Sequence, residues 1–325
     1  MNIIITGVAG FVGSNLAKSL LSQGYGVVGI DNFSYGEQRN IAPFLSNPKF
    51  SFYEADVRDP KALEGLKGDV LVHLASQKIP RYSSQFRTVS DNSDMTKNVV
   101  AKCVADKIKL VFSSTSDIYG KNPELPYSET SNSVLGATTV KRWAYATSKL
   151  HSEHYIMGAG ADFGLEYTIM RFFGSYGQNQ NLTWWGGPQS VFIQNILTHL
   201  PIEIHGDGLQ TRTFTYIEDT VQGVEKCIFH EASKNEIFNV ANLPNEEITI
   251  KQLAELISEL MAGRGFKPEL KFIPYSTFGN YEDVLRRVPC IDKIQNLLGY
   301  APKYSLREGL ERTIDWQVKI FEQGQ

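Results

Sequence analysis

Residues 2–13 read NIIITGVAGFVG, and this stretch decides the fold. An apolar run from Ile3 to Ile5 stops at Gly7, after which Val12, Leu16 and Leu20 recur at helical spacing until Gly24. Gly7, Gly10 and Gly13 therefore stand in the turn between a strand and a helix. Each has a physical reason to be glycine: a tight turn with positive φ, close approach of a pyrophosphate to the backbone, and close packing of helix on strand. The helix N-terminus adds free N–H groups and partial positive charge. In this context the glycines, with Phe11 and Val12 between them, form a dinucleotide-binding fingerprint.

Downstream, the same alternation repeats. Val27–Ile30, Phe50–Tyr53, Val70–Leu74 and Leu110–Phe112 read as buried strands, and Val99, Val100, Cys103 and Val104 lie in a helical stretch between the last two. Short apolar strands alternating with helices predict an α/β, doubly wound parallel sheet of the Rossmann kind. Asp31 ends the second strand, 18 residues after Gly13. A carboxylate there accepts hydrogen bonds from the adenosine ribose hydroxyls and repels a 2′-phosphate, so the expected cofactor is NAD. Asn32 follows it, and Asp56 and Val57 follow the third strand, placed to meet the adenine.

A second long helix is expected over Trp143–Tyr155 and a strand over Tyr167–Arg171. Tyr145 and Lys149 are four residues apart on that helix, so their side chains emerge on one face. A phenol with pKa about 10 is a poor base until positive charge lies nearby, and Lys149 is expected to supply it. From Gly174 to Pro188 the chain reads as a long functional loop containing Trp184-Trp185, and Ile250–Met261 as an amphipathic helix. The expected organisation is an NAD-binding domain over 1–174 and a smaller α/β substrate region over 175–325, interleaved with it.

Composition excludes other classes. The 32 basic and 35 acidic residues give a charge of -3, which offers no basis for binding nucleic acid or an anionic membrane. Cys103, Cys227 and Cys290 form no CxxC pair, and His151-Ser-Glu-His154 lacks zinc-ligand spacing, so no metal is expected. The N-terminal run has no basic flank or cleavage site, and no stretch reaches membrane-spanning length. A soluble cytoplasmic protein is expected.

Seven segments carry a family resemblance: TGVAGFVG, HLAS at 73–76, SSTSDIYG at 113–120, YATSK at 145–149, RFFGSYG at 171–177, GDGLQTRTFTYIED at 206–219 and LGYAPKYSLREGL at 298–310. Together they resemble the extended short-chain dehydrogenases that act on nucleotide sugars, over nearly the whole chain. The resemblance implies NAD held by the residues above together with Leu74, Ala75, Lys78, Tyr145 and Lys149, and a nucleotide-sugar substrate linked to UDP, GDP or dTDP. It implies Thr115 as partner of Tyr145 at the reacting hydroxyl, and Arg212 and Arg287 as clamps on the diphosphate. Arg81, Asn179, Asn181, Trp185 and Gln189 fall on the substrate side. Gly174 departs from the family's usual Asn. Asp117, after Ser116, stands where dehydratases and decarboxylases carry an acid and simple 4-epimerases do not. Oxidation at C4 of the sugar is the shared first step, and the expected outcome is 4-epimerisation. Dehydration or decarboxylation is the alternative, and a non-catalytic NAD(H)-binding protein is disfavoured by the intact Thr115, Tyr145 and Lys149. A homodimer through two long helices is also implied.

Overall fold

The computed structural model describes residues 1–78, 84–278 and 282–324. β1 (Asn2–Thr6) leads through the glycine turn into α1 (Phe11–Ser22), β2 (Gly26–Asp31), the single turn α2 (Gln38–Ile41), β3 (Phe50–Glu54) and β4 (Val70–His73). α3 (Gln85–Asp106), β5 (Lys109–Thr115), α4 (Trp143–Phe163) and β6 (Tyr167–Phe172) follow. Then come β7 (Ser175–Tyr176), α5 (Pro188–Leu197), β8 (Ile202–His205), β9 (Thr211–Thr213), β10 (Thr215–Tyr216), α6 (Ile217–Phe229) and β11 (Glu236–Val240). The chain ends through β12 (Glu247–Thr249), α7 (Ile250–Ala262), β13 (Leu270–Ile273), β14 (Arg286–Arg287), α8 (Asp292–Leu298) and α9 (Leu306–Gln323).

Among the described residues, one seven-stranded sheet runs in the order β11-β6-β5-β4-β1-β2-β3, with every neighbouring pair parallel. Both faces are covered, which is why its inner strands are continuous apolar runs. Side chains alternate between two cores: Ile3 and Ile5 pack with Leu16 and Leu20 of α1, whereas Ile4 packs with Val99 and Cys103 of α3 and Ile156 of α4. The strand order turns back between β1 and β4, opening a crevice at the carboxyl ends of the strands.

The expected boundary at residue 174 falls between β6 and β7, yet β11 from the later half pairs with β6, from Glu236↔Thr168 to Val240↔Phe172. The later half thus supplies a strand to the first domain's sheet. The helix expected over Trp143–Tyr155 is present and runs on to Phe163, stopping at Gly164, which has φ 69°. Its internal glycines mimic a break; at Gly160 a Cβ would sit 2.7 Å from the Tyr167 ring, so the glycine serves packing. All three cysteines are free, Cys103 and Cys227 being buried. Among the described residues no helix is long and apolar enough to cross a membrane.

Candidate active site

The glycine turn shapes one wall of a cleft of about 990 Å³. Gly7 has φ 75°, and a Cβ there would lie 2.8 Å from the Ala75 nitrogen; one on Gly13 would lie 2.1 Å from the Gly7 carbonyl oxygen. A Cβ on Gly10 would meet only that same oxygen, at 3.1 Å, so the backbone of Gly10 can be closely approached. Helix geometry leaves the N–H groups of Phe11, Val12 and Gly13 without intrahelical acceptors, and these residues line the cleft. The cradle therefore suits an anionic diphosphate.

Asp31 accepts the Ala9 N–H on one oxygen and the Phe33 N–H on the other, both at 2.9 Å. Burial raises its pKa against these bonds and those from the Asn32 and Gly10 backbone, and Asp31 lines the cleft. Asn32 donates to Asp56 at 2.9 Å. Asp56 is gripped by Arg58, whose hydrogen bonds outweigh partial burial and pull the carboxyl down to about 2. Val57, Leu74 and Ala75 complete this side of the wall, with Lys78 exposed at its edge. Beneath it His73, pushed down to about 3 by burial and then by Lys149, is neutral and shares a 2.7 Å hydrogen bond with Thr6.

Three consecutive residues of β5 meet one face of α4. The Ser113 carbonyl accepts Lys149 Nζ at 2.8 Å, Ser114 donates to Glu153, and Thr115 hydrogen-bonds Tyr145. Tyr145, Thr115 and Asp117 line the cleft, whereas Lys149 lies behind them, 2% exposed. Burial pushes Lys149 down to about 7, with the Glu153 charge acting against it. The expected lowering of the Tyr145 pKa is not found. Burial and then Asp117 raise it, with Ser76 and Thr115 lowering it. Asp117, beyond the Thr115 cap, donates its N–H to Thr115 Oγ1 at 3.1 Å.

Burial would raise Asp117, but Arg287 and Arg142 outweigh it and hold the carboxyl below its usual range. Arg287 lies 2.5 Å and Arg142 3.2 Å from the same oxygen. Arg142 also pairs with Asp283 at 3.1 Å, and Asp283 with Arg212 at 2.9 Å. Arg212, Asp283, Arg142, Asp117 and Arg287 thus form an alternating ladder along the cleft. Arg142 and Asp283 were not singled out from the sequence. Arg142 lies three residues before Tyr145, a position that local spacing could have raised; Asp283 reaches the ladder only by long-range folding.

On the far side, a Cβ at Gly174 would lie 2.9 Å from the Phe214 ring, and its φ is 35°. A side chain at this position would press on that ring and on the Thr213 carbonyl. Asn179 donates to Ser14 Oγ at 3.1 Å, beside the glycine turn. Asn181 accepts the Thr183 N–H and hydroxyl, and both asparagines line the cleft. Trp185 packs on Tyr35, ring centroids 4.3 Å apart, so the substrate-side loop touches the segment after β2. Gln189 does not line the cleft; it is 1% exposed in the first turn of α5. Arg81 lies outside the described residues. His151 stacks on Tyr155 at 6.0 Å.

The family model described as "NAD dependent epimerase/dehydratase family" matches residues 3–241. A UDP-N-acetyl-alpha-D-glucosaminuronate decarboxylase of Bacillus cytotoxicus is 30% identical, covering 98% of each chain. The solved structure of a UDP-glucose 4-epimerase from Thermotoga maritima superposes with a TM-score of 0.87 at 28% identity, over 98% of this chain and 99% of that one. A UDP-glucuronic acid 4-epimerase from Bacillus cereus gives 0.86 at 27%, over 98% and 100%.

Proposed function

The chain belongs to the NAD dependent epimerase/dehydratase family, and from that premise we propose that it is a nucleotide-sugar 4-epimerase. In this reading Gly7, Gly10, Phe11, Val12 and Gly13 hold the cofactor's pyrophosphate, Asp31 its adenosine ribose, and Asn32, Asp56 and Val57 its adenine. Leu74, Ala75 and Lys78 border the nicotinamide. NAD, when bound, accepts hydride from C4 of the sugar and returns it. Tyr145 removes the proton of the C4 hydroxyl and Thr115 shares its hydrogen bond. Arg142 and Arg287 neutralise the Asp117 carboxylate that otherwise opposes a phenolate at Tyr145. Arg212 and Arg287 take the substrate diphosphate, exchanging carboxylate for phosphate partners.

The observation that carries epimerisation over dehydration is the state of Asp117. Elimination of a sugar hydroxyl needs a proton donor, and a carboxyl that Arg142 still pairs once Arg287 turns to the diphosphate stays ionised and is not one. Epimerisation needs only Tyr145 and a ketone able to present its other face. One observation favours a second reading. Arg142 and Arg287 already grip a carboxylate, and the C6 carboxylate of a sugar acid suits the same fork. Once C4 is a ketone, that carboxylate belongs to a β-keto acid and can leave as carbon dioxide.

Mass spectrometry of UDP-, GDP- and dTDP-sugars, neutral and acidic, after incubation with the protein and NAD decides between them. A product of unchanged mass and altered retention supports the epimerase; loss of carbon dioxide selects the second reading, and loss of water defeats both. Exposed apolar side chains on the two long helices, Phe86 and Val89 of α3 and Tyr155 of α4, are the surface we assign to a homodimer.

A further inference from the structure

Behind the proposed catalytic residues lies a buried ion pair that the proton transfer does not use. Glu153, 1% exposed, and Arg171 of β6, 6% exposed, meet through two hydrogen bonds: Nη2 to Oε2 at 2.7 Å and Nε to Oε1 at 3.1 Å. Glu153 is the third member of a face spaced by four residues, Tyr145, Lys149 and Glu153, and accepts the Ser114 hydroxyl, next to Thr115. Arg171 also donates to the Tyr119 hydroxyl at 2.9 Å and the Glu129 carbonyl at 2.8 Å. Tyr119 in turn donates to Asn239 of β11 at 2.7 Å, and Asn239 donates to the carbonyls of Tyr127 and Cys290. Tyr127 and the Val288–Cys290 segment exchange backbone hydrogen bonds at 2.8 Å, immediately after Arg287. One string of buried polar contacts therefore joins the helix of Tyr145 to the strand of Arg287.

Burying two charges is costly, and an apolar pair of similar volume would often hold a fold as well. We infer that Glu153 and Arg171 are positioning residues, setting the register of α4 on β5 so that Tyr145, Thr115 and Lys149 converge. This inference rests on the catalytic reading given above. Lys149 is faced by the Ser113 carbonyl and the Phe112 ring of β5, by neutral His73 of β4 and by Glu153 of its own helix. Among these, Glu153 is the negative charge that favours its ammonium.

The test is the double variant Glu153→Met/Arg171→Met, which leaves no unpaired charge. It should fold, bind NAD as the wild type does, and lose about 10–100-fold in kcat with KM nearly unchanged, the size of effect expected when reacting groups move by about 1 Å. A folded double variant with wild-type kcat overturns the inference. If the double variant does not fold, Glu153→Gln replaces it with the same expected loss in kcat and the same overturning result. A readout independent of turnover is the titration of Lys149 in ligand-free protein, followed by NMR on ¹³C-lysine and assigned with Lys149→Arg. Glu153→Gln must lower that pKa, and an unmoved titration also overturns the inference. Tyr145→Phe, assayed beside these, separates the two claims. If it retains turnover, the catalytic reading fails; if it is inactive while the folded double variant is unimpaired, only the positioning role fails.

Discussion

The hydroxyl of Tyr145 is pulled in two directions. Burial and Asp117 favour the neutral phenol, and the Ser76 and Thr115 side chains favour its ionised form. Tyr145→Phe removes that oxygen alone. Turnover should fall by about 10²–10⁴-fold, the usual contribution of a positioned acid–base group, while calorimetry finds NAD affinity unchanged. At Gly13 the expected damage is of another kind. A methyl group there would sit 2.1 Å from the Gly7 carbonyl oxygen and 2.8 Å from the Val8 Cα, both backbone atoms that cannot rotate aside. Gly13→Ala should push α1 away from β1, abolish dinucleotide binding in the same calorimeter, and cost roughly 1–3 kcal/mol of stability.

Two helices of the C-terminal third depend on their first turns. α7 and α9 both open with reciprocal capping boxes, Thr249 with Gln252 and Ser305 with Glu308. Ser305→Ala should cost about 1 kcal/mol and lower the thermal midpoint by a few degrees in circular dichroism, without changing kcat. At this scale the sequence was most readable where period and punctuation agreed. The parallel strands announced themselves as apolar runs, and α1 as a spaced apolar face between glycines. The far end of α4 did not: the helix runs past Gly158 and Gly160, and only at Gly160 does the Tyr167 ring leave no room for a side chain. Tyr145 and Lys149 were legible because they share one helix face. Arg142, Asp283, Glu153 and Arg171 act through partners up to 141 residues away; Arg142 and Glu153 stand near Tyr145 in the chain, but no local pattern encodes the partners they meet.

For the molecule as a whole, Lys149 links fold to function through pH. Burial pushes it down to about 7 in the folded chain, from 10.5 when unperturbed. Between those values the unfolded chain carries a proton that the folded chain lacks, so stability rises with pH across the window and is lowest below it. Lys149→Met should remove that slope. The variant should exceed the wild type in urea resistance near neutrality, with the gap closing as pH approaches 10.5; a constant gap would contradict the buried-lysine account.

The arginine–aspartate ladder also gives the molecule its own counter-ions. On the proposed reading a ligand diphosphate or carboxylate does not meet bare positive charge; it competes with Asp117 and Asp283 for guanidinium groups they already pair. Three guanidinium groups and two carboxylates leave a single net positive charge to attract it. Bare arginines would release their ligand steeply as salt shortens the Debye length. On the proposed reading the dissociation constant of UDP should therefore rise less steeply with ionic strength than three unpaired arginines would allow.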